Sequence, residues 1–149
     1  MATDANGNQI FGRYNVGVHN VGSYQVSGIP WLSGSVLLDL EEQKLEFPMV
    51  TKSITIIASG TFTAGELRVH FAPTGSELSP VVASHRYVTM NSAEDAYTFN
   101  VKAKDIYVSC TGSSFGAGSG VGYECVAELT NIPTASMYTH TGSGISDSA

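Results

Sequence analysis

Tyr123-Glu124-Cys125-Val126-Ala127-Glu128-Leu129 is the stretch whose reading decides the fold. Tyr123, Cys125, Ala127 and Leu129 fall on one side of a two-residue period, and Glu124 and Glu128 fall on the other. That is the pattern of a strand with one face in a core and one in water. Working outward, Glu66-Leu67-Arg68-Val69-His70-Phe71 repeats it, with Leu67, Val69 and Phe71 on the apolar face and His70 on the polar one. Tyr97 to Ala103 alternates likewise, and in Asp105 to Cys110 the residues Ile106, Val108 and Cys110 share a face. Lys52 to Ala58 is richer in β-branched residues and reads as a more central strand. Weaker strand signals lie at Ser23–Val26, Ser35–Leu40, Lys44–Phe47 and His85–Met90.

Between these segments stand turn residues: Ser27-Gly28-Ile29-Pro30, Glu41-Glu42-Gln43, Ser59-Gly60, Pro73-Thr74-Gly75 and Asn91 to Asp95. Gly supplies positive φ there, and Asn, Asp and Ser supply local hydrogen bonds. A helical turn over Leu37 to Lys44 is the one competing reading, because Leu37, Leu38, Leu40 and Leu45 would form a short stripe. No segment shows a capped helical period. Short strands at close spacing without helices predict an all-β protein, a single antiparallel β-sandwich of jelly-roll or Ig-like type. The expected organisation is an N-terminal arm over 1–20, the sandwich over 21–130, and a C-terminal arm over 131–149.

The chain has 149 residues, enough for one domain with its own core. Charged residues are only 13%, against 16 glycines and many Ser and Thr, which excludes a highly charged disordered chain and a coiled coil. Seven basic against 13 acidic residues give a net charge of −6, with no basic stripe. Nucleic-acid binding rests on cations meeting phosphates, so no nucleic-acid partner is expected. No membrane partner is expected either: no apolar run approaches the roughly 20 residues of a spanning helix. Met1 to Gly7 has neither a basic nor an apolar leader pattern, so synthesis in the cytoplasm is expected.

The residues that carry chemistry elsewhere do not converge here. His19, His70, His85 and His140 show no metal-ligand spacing, so no metal and no cofactor are expected. The glycine-rich stretch Gly112 to Gly122 is followed by a strand and contains no Lys, whereas a phosphate loop needs a helix N-terminus. It reads as a long hairpin tip that presents Phe115. Glu124 and Glu128 lie roughly 13 Å apart along an outward face, too far for either glycosidase geometry. No Gly-x-Ser-x-Gly elbow precedes a helix. No catalytic residue is expected, and the protein reads as a non-enzyme.

Two features stay open between readings. If 106–110 and 123–129 form a hairpin, Cys110 stands opposite Cys125, either as a cross-strand disulfide or as two reduced thiols acting as small buried hydrophobes. Cytoplasmic synthesis favours the thiols. Trp31, the single tryptophan, is either a sugar-stacking platform or a core or interface anchor beside Ile29 and Leu32. The other aromatics, Tyr97 among them, are expected mostly in the core.

Several strings resemble a group of small virion structural proteins of tailed bacteriophages, most of all those of marine and cyanobacterial phages. They are Val21 to Gly28, Phe47 to Lys52, Leu67 to Phe71, Lys104 to Ser109, Ala127 to Pro133 and Thr141 to Ile145, spread over about residues 21–146. The resemblance implies a capsid decoration (cement) protein at the virion surface, a homo-oligomer, commonly a trimer, clamped on the major capsid protein and on sister subunits. Tail, neck and fibre proteins share this composition, and a glycan-binding host-attachment module is a further alternative. Isolated apolar anchors in polar surroundings are the candidate interface residues: Ile10, Phe11, Tyr14, Trp31, Phe115, Met137, Tyr138 and Ile145.

Overall fold

The computed structural model describes residues 17–19, 21–25, 28–38, 40–60, 62, 65–73, 87–112 and 120–138. Among them are a single helical turn, α1 (Gly22–Gln25), and the strands β1 (Ile29–Leu37), β2 (Glu42–Glu46), β3 (Met49–Gly60) and β4 (Gly65–His70). β5 (Val88–Met90), β6 (Ala96–Phe99), β7 (Asp105–Gly112) and β8 (Val121–Pro133) follow, then a 3-10 turn over Thr134–Ser136.

The strands build two four-stranded antiparallel sheets, ordered β1-β8-β3-β6 and β2-β7-β4-β5. β1 pairs with β8, β3 with β6, β2 with β7 and β4 with β5, as if one long hairpin had been folded over. The additional pairs β3·β8 and β4·β7 close each sheet. This nesting is the jelly-roll topology of two Greek keys, so of the two expected sandwich types the chain adopts the jelly roll.

Alternation fills the space between the sheets. Tyr123, Cys125, Ala127 and Leu129 of β8 point inward with Ile54, Ile56 and Ala58 of β3. They meet Leu67 and Val69 of β4 and Ile106, Val108 and Cys110 of β7 in one buried cluster. Tyr123 finds a partner for its polar tip by donating to Gln43 Oε1 at 2.8 Å. Its burial pushes the phenol up to about 12. A smaller cluster of Val18, Val50, Ile132 and Met137 lies against Tyr24 and Tyr138. The Lys102 ammonium donates to the Val18 carbonyl and sits 4.3 Å from the Tyr24 ring centre, tying the segment before β1 to the sandwich.

Register slips where β3 meets β8, between Met49 and Thr51 and again between Thr51 and Ser53. Threonine hydroxyls at the slip bond nearby backbone groups. Thr51 Oγ1 donates to the Val101 carbonyl (2.9 Å) and accepts from Ala103 N (3.0 Å). Thr130 Oγ1 donates to the Val50 carbonyl (2.7 Å) and accepts from Ile132 N (3.1 Å). Gly60 ends β3 at φ +91°, a backbone region that side chains resist.

Several local expectations are corrected. β7 and β8 do not form a hairpin, because they belong to different sheets and each has both sides filled by other strands. Cys110 and Cys125 are therefore not ladder partners, and no disulfide joins them. The strand expected at Ser23–Val26 is replaced by α1 over Gly22–Gln25, and Val26 lies outside the described residues. Ile29 and Pro30 open β1 instead of forming a turn, a place open to proline because β1 is an edge strand. Glu42 and Gln43 open β2, and the real turn lies just before them. There Glu41 N donates to the Leu38 carbonyl (3.1 Å), the Glu41 carboxylate accepts from Leu38 N (2.8 Å), and Leu40 takes φ 60°. Tyr97 lies on the short edge strand β6 and is 45% exposed, because no strand covers it on its outer side among the described residues. β8 runs to Pro133, past the expected end of the sandwich at residue 130.

Candidate functional site

The outer face of the β1-β8-β3-β6 sheet carries apolar side chains where the alternation calls for polar ones. Leu32 and Val36 of β1 point outward, 72% and 60% exposed. Leu32 stands opposite Val126 of β8, itself exposed, and Val126 stands opposite Thr55 of β3. Val36 stands opposite Gly122, whose missing side chain leaves it uncovered. Leu38 and Leu40, on the turn after β1, extend the exposed apolar surface. Covering a leucine or valine yields about 1.5–3 kcal/mol, so a contiguous exposed patch marks a contact surface. Glu124, opposite Gly34, stands on the row between Leu32–Val126 and Val36–Gly122, and Glu128 with Lys52 at 3.6 Å and the Thr55–Thr98 hydroxyl pair at 2.9 Å form the polar margin.

The second sheet has a different exterior. β2 shows Glu42, Lys44 and Glu46 in turn along its outward side. Lys44 is paired with Glu46 at 2.5 Å and with Asp105 at 3.3 Å. The hydrogen bond to Glu46 raises the ammonium pKa, and the same bond lowers that of the carboxyl. An open hollow of about 310 Å³ lies here, lined by Lys44, Glu46, Phe47, Lys104, Asp105 and Thr134. Two lysines and two carboxylates offset one another in it, leaving no net charge to recognise an ionic ligand.

On the same sheet His70 is buried although its strand position faces outward. Tyr107 stacks on the ring at 5.8 Å. Nδ1 lies 2.6 Å from the Ala72 carbonyl and Nε2 lies 3.0 Å from Ser109 Oγ. A carbonyl only accepts, so Nδ1 carries the proton of the neutral ring and the Ser109 hydroxyl donates to Nε2. The Glu42 carboxylate is 3.6 Å from Nε2. Ser, His and Glu thus meet, but the Ser109 oxygen is fully buried and its acid flanks the wrong ring nitrogen for a triad. The cluster cross-links β4, β7 and β2.

The structure distributes the expected interface residues unevenly. Trp31 is half-buried on the inner side of β1, its ring edge-on to Phe47 at 5.0 Å and packed on the main core. Met137 is buried in the small cluster, and Tyr138 packs against it. Ile10, Phe11, Tyr14, Phe115 and Ile145 lie outside the described residues. Among the described residues no group of three or more His, Cys, Asp and Glu is placed to hold a metal ion. No helix among them is long and apolar enough to cross a membrane. The Leu32–Val36–Val126 face was missed in the sequence, but a signal exists: no Asp, Glu, Lys or Arg occurs between Arg13 and Asp39.

No protein-family model matches the chain, and no curated protein matches it. Among solved structures, the crystal structure of the SPBc2 prophage-derived protein YomS is similar at 10% identity, covering 68% of this chain and 96% of that one, with a TM-score of 0.42. A likeness that loose carries no argument about what this chain does.

Proposed function

We propose that the chain is a non-enzymatic structural protein of a tailed-phage virion. In this reading it is a capsid decoration protein that binds the outer surface of the major capsid protein lattice beside sister subunits and stabilises the head. The observation that supports it is the exposure of the apolar side chains Leu32, Val36 and Val126 on the outer face of a hydrogen-bonded sheet. A decoration protein stabilises a shell by burying interface and needs no reactive centre. The sequence strings that resemble virion proteins support the same reading. Jelly rolls serve both capsid and lectin domains, so the topology itself does not choose between a protein and a glycan surface.

The test is the copy number per particle together with a cryo-EM map of the virion. Hundreds of copies, with density over the capsid lattice, are expected. A dozen copies or fewer would assign the chain to the neck, tail or fibre, and absence from purified particles would overturn the virion reading.

A further inference from the structure

We infer that β1 pairs edge to edge with β1 of a second copy of this chain, antiparallel about a two-fold axis, with Leu32 of each copy beside Val36 of the other. The inference rests on the sheet edges and is independent of any capsid.

Among the described residues the two sheets have four edges. β2 is short and charged, β5 has 3 residues and β6 has 4. These are the ways proteins blunt an edge against further pairing. β1 has none of them over most of its length: 9 residues, no charge, and an unbroken register with β8 from Ile29–Leu129 to Leu37–Val121. Its one blunting residue, Pro30, sits at the start.

Charge and pattern select a second copy as the occupant. A two-fold axis normal to the sheet keeps outer face with outer face, so only residues of the same parity can meet. Centring the axis on Gly34 sets Leu32 against Val36, Ser33 against Ser35 and Trp31 against Leu37, and leaves Pro30, which has no N–H, outside the paired residues. Centring it one residue earlier would draw Pro30 into the ladder and set Leu32 against glycine. In the chosen register apolar side chains run from Val126 through Leu32 to Val36 of the second copy, and again in mirror order. No charge lies on either joining strand. The nearest acids on the axis line, Glu124 of each copy, are about 14 Å apart by strand spacing, beyond the ~8 Å screening length in physiological salt. The product is a continuous eight-stranded sheet whose outer face carries two rows of apolar side chains, one on each side of the central row of Gly34 and Glu124.

Disulfide trapping tests the register. Gly34 itself is unsuitable, because a Cβ there would lie 2.9 Å from the Tyr123 carbonyl oxygen. Leu32 and Val36 are exposed, so Leu32→Cys and Val36→Cys leave the core intact, and the native thiols are buried. Mixed under mild oxidation, the two variants are expected to form a covalent dimer. Each variant alone is not, since like positions lie roughly 13 Å apart along the paired strands. In sedimentation over a concentration series, Leu32→Lys is expected to raise the dissociation constant at least about tenfold while its circular dichroism stays unchanged. Absence of the mixed dimer, equal dimer from either variant alone, or association unaffected by Leu32→Lys would each overturn the inference.

Discussion

Ser109 on β7 donates its hydroxyl hydrogen to Nε2 of His70 on β4 at 3.0 Å, inside a packed layer that Tyr107 covers. Burial lowers the His70 pKa, and the nearby Arg68 guanidinium lowers it further. The Ala72 carbonyl and the Glu42 carboxylate pull in the other direction without reversing the shift. An unfolded histidine titrates near 6.5, so just below that pH the unfolded chain binds the extra proton and the folded one does not. Stability from this site is therefore complete above about pH 6.5 and falls as the pH drops towards the folded pKa. Urea unfolding at stepped pH between 7.5 and about 5, above the range of ordinary carboxylates, is expected to show a falling midpoint. His70→Gln is expected to lower stability at pH 7.5 and to flatten the slope. A wild-type midpoint that stays level over this range would refute the account.

Thr51 performs two backbone tasks with one hydroxyl where β3 slips against β8, and it is fully buried. Thr51→Val keeps the shape and removes both bonds, leaving the Val101 carbonyl and the Ala103 N–H short of these partners. A cost of about 1–3 kcal/mol is expected, read as a shift in denaturation midpoint at unchanged m-value. A cost below about 0.5 kcal/mol would mean that water or another group takes over.

How much of this was legible in the sequence follows from what a two-residue period can encode. It assigns faces, so the inward set Tyr123, Cys125, Ala127 and Leu129 and the outward set Glu124 and Glu128 were readable from β8 itself. It does not assign partners. Cys110 and Cys125 were both readable as inward, yet nothing local says that one belongs to the sheet of β2 and β4 and the other to the sheet of β1 and β3. The burial of His70 has the same origin, since its strand parity points outward and the covering ring comes from Tyr107, far along the chain. Pro30 shows a different ambiguity: Ser-Gly-Ile-Pro is turn chemistry, and it is equally the start of an edge strand. Reading it as a turn hid the strand whose outward residues, Leu32 and Val36, became the candidate face.

Among the described residues, fully buried and largely exposed aliphatic side chains differ in energetic weight, and one pair of substitutions separates them. Ile56 is fully buried between Cys125 and Tyr97 in the register of β3, whereas Leu32 is largely exposed. Ile56→Ala is expected to cost about 2–5 kcal/mol through lost burial and the cavity left behind. Leu32→Ala is expected to stay within about 0.5 kcal/mol in the isolated protein. The fluorescence of Trp31, packed on Phe47, reports both unfolding curves. A large cost at Leu32 in dilute monomer would mean that this side chain is covered by its own chain, and the apolar face would lose its meaning as a contact surface.

Cys110 and Cys125 face the same interior from opposite sheets, both buried and with no disulfide between them. Burial pushes the Cys125 thiol up to about 12, so at pH 8 its nucleophilic thiolate is scarce as well as inaccessible. Titration with Ellman's reagent at pH 8 is expected to find no reactive thiol in the native protein and two in denaturant. A reducing agent is expected to leave the melting temperature unchanged, because no disulfide contributes to it. Were the two cysteines bridged instead, the denatured chain would show no thiol until reduced, and reduction would lower the melting temperature through a stability loss on the order of 3 kcal/mol from loop closure. The denatured-state count alone separates the two cases, whatever the accessibility of the folded core.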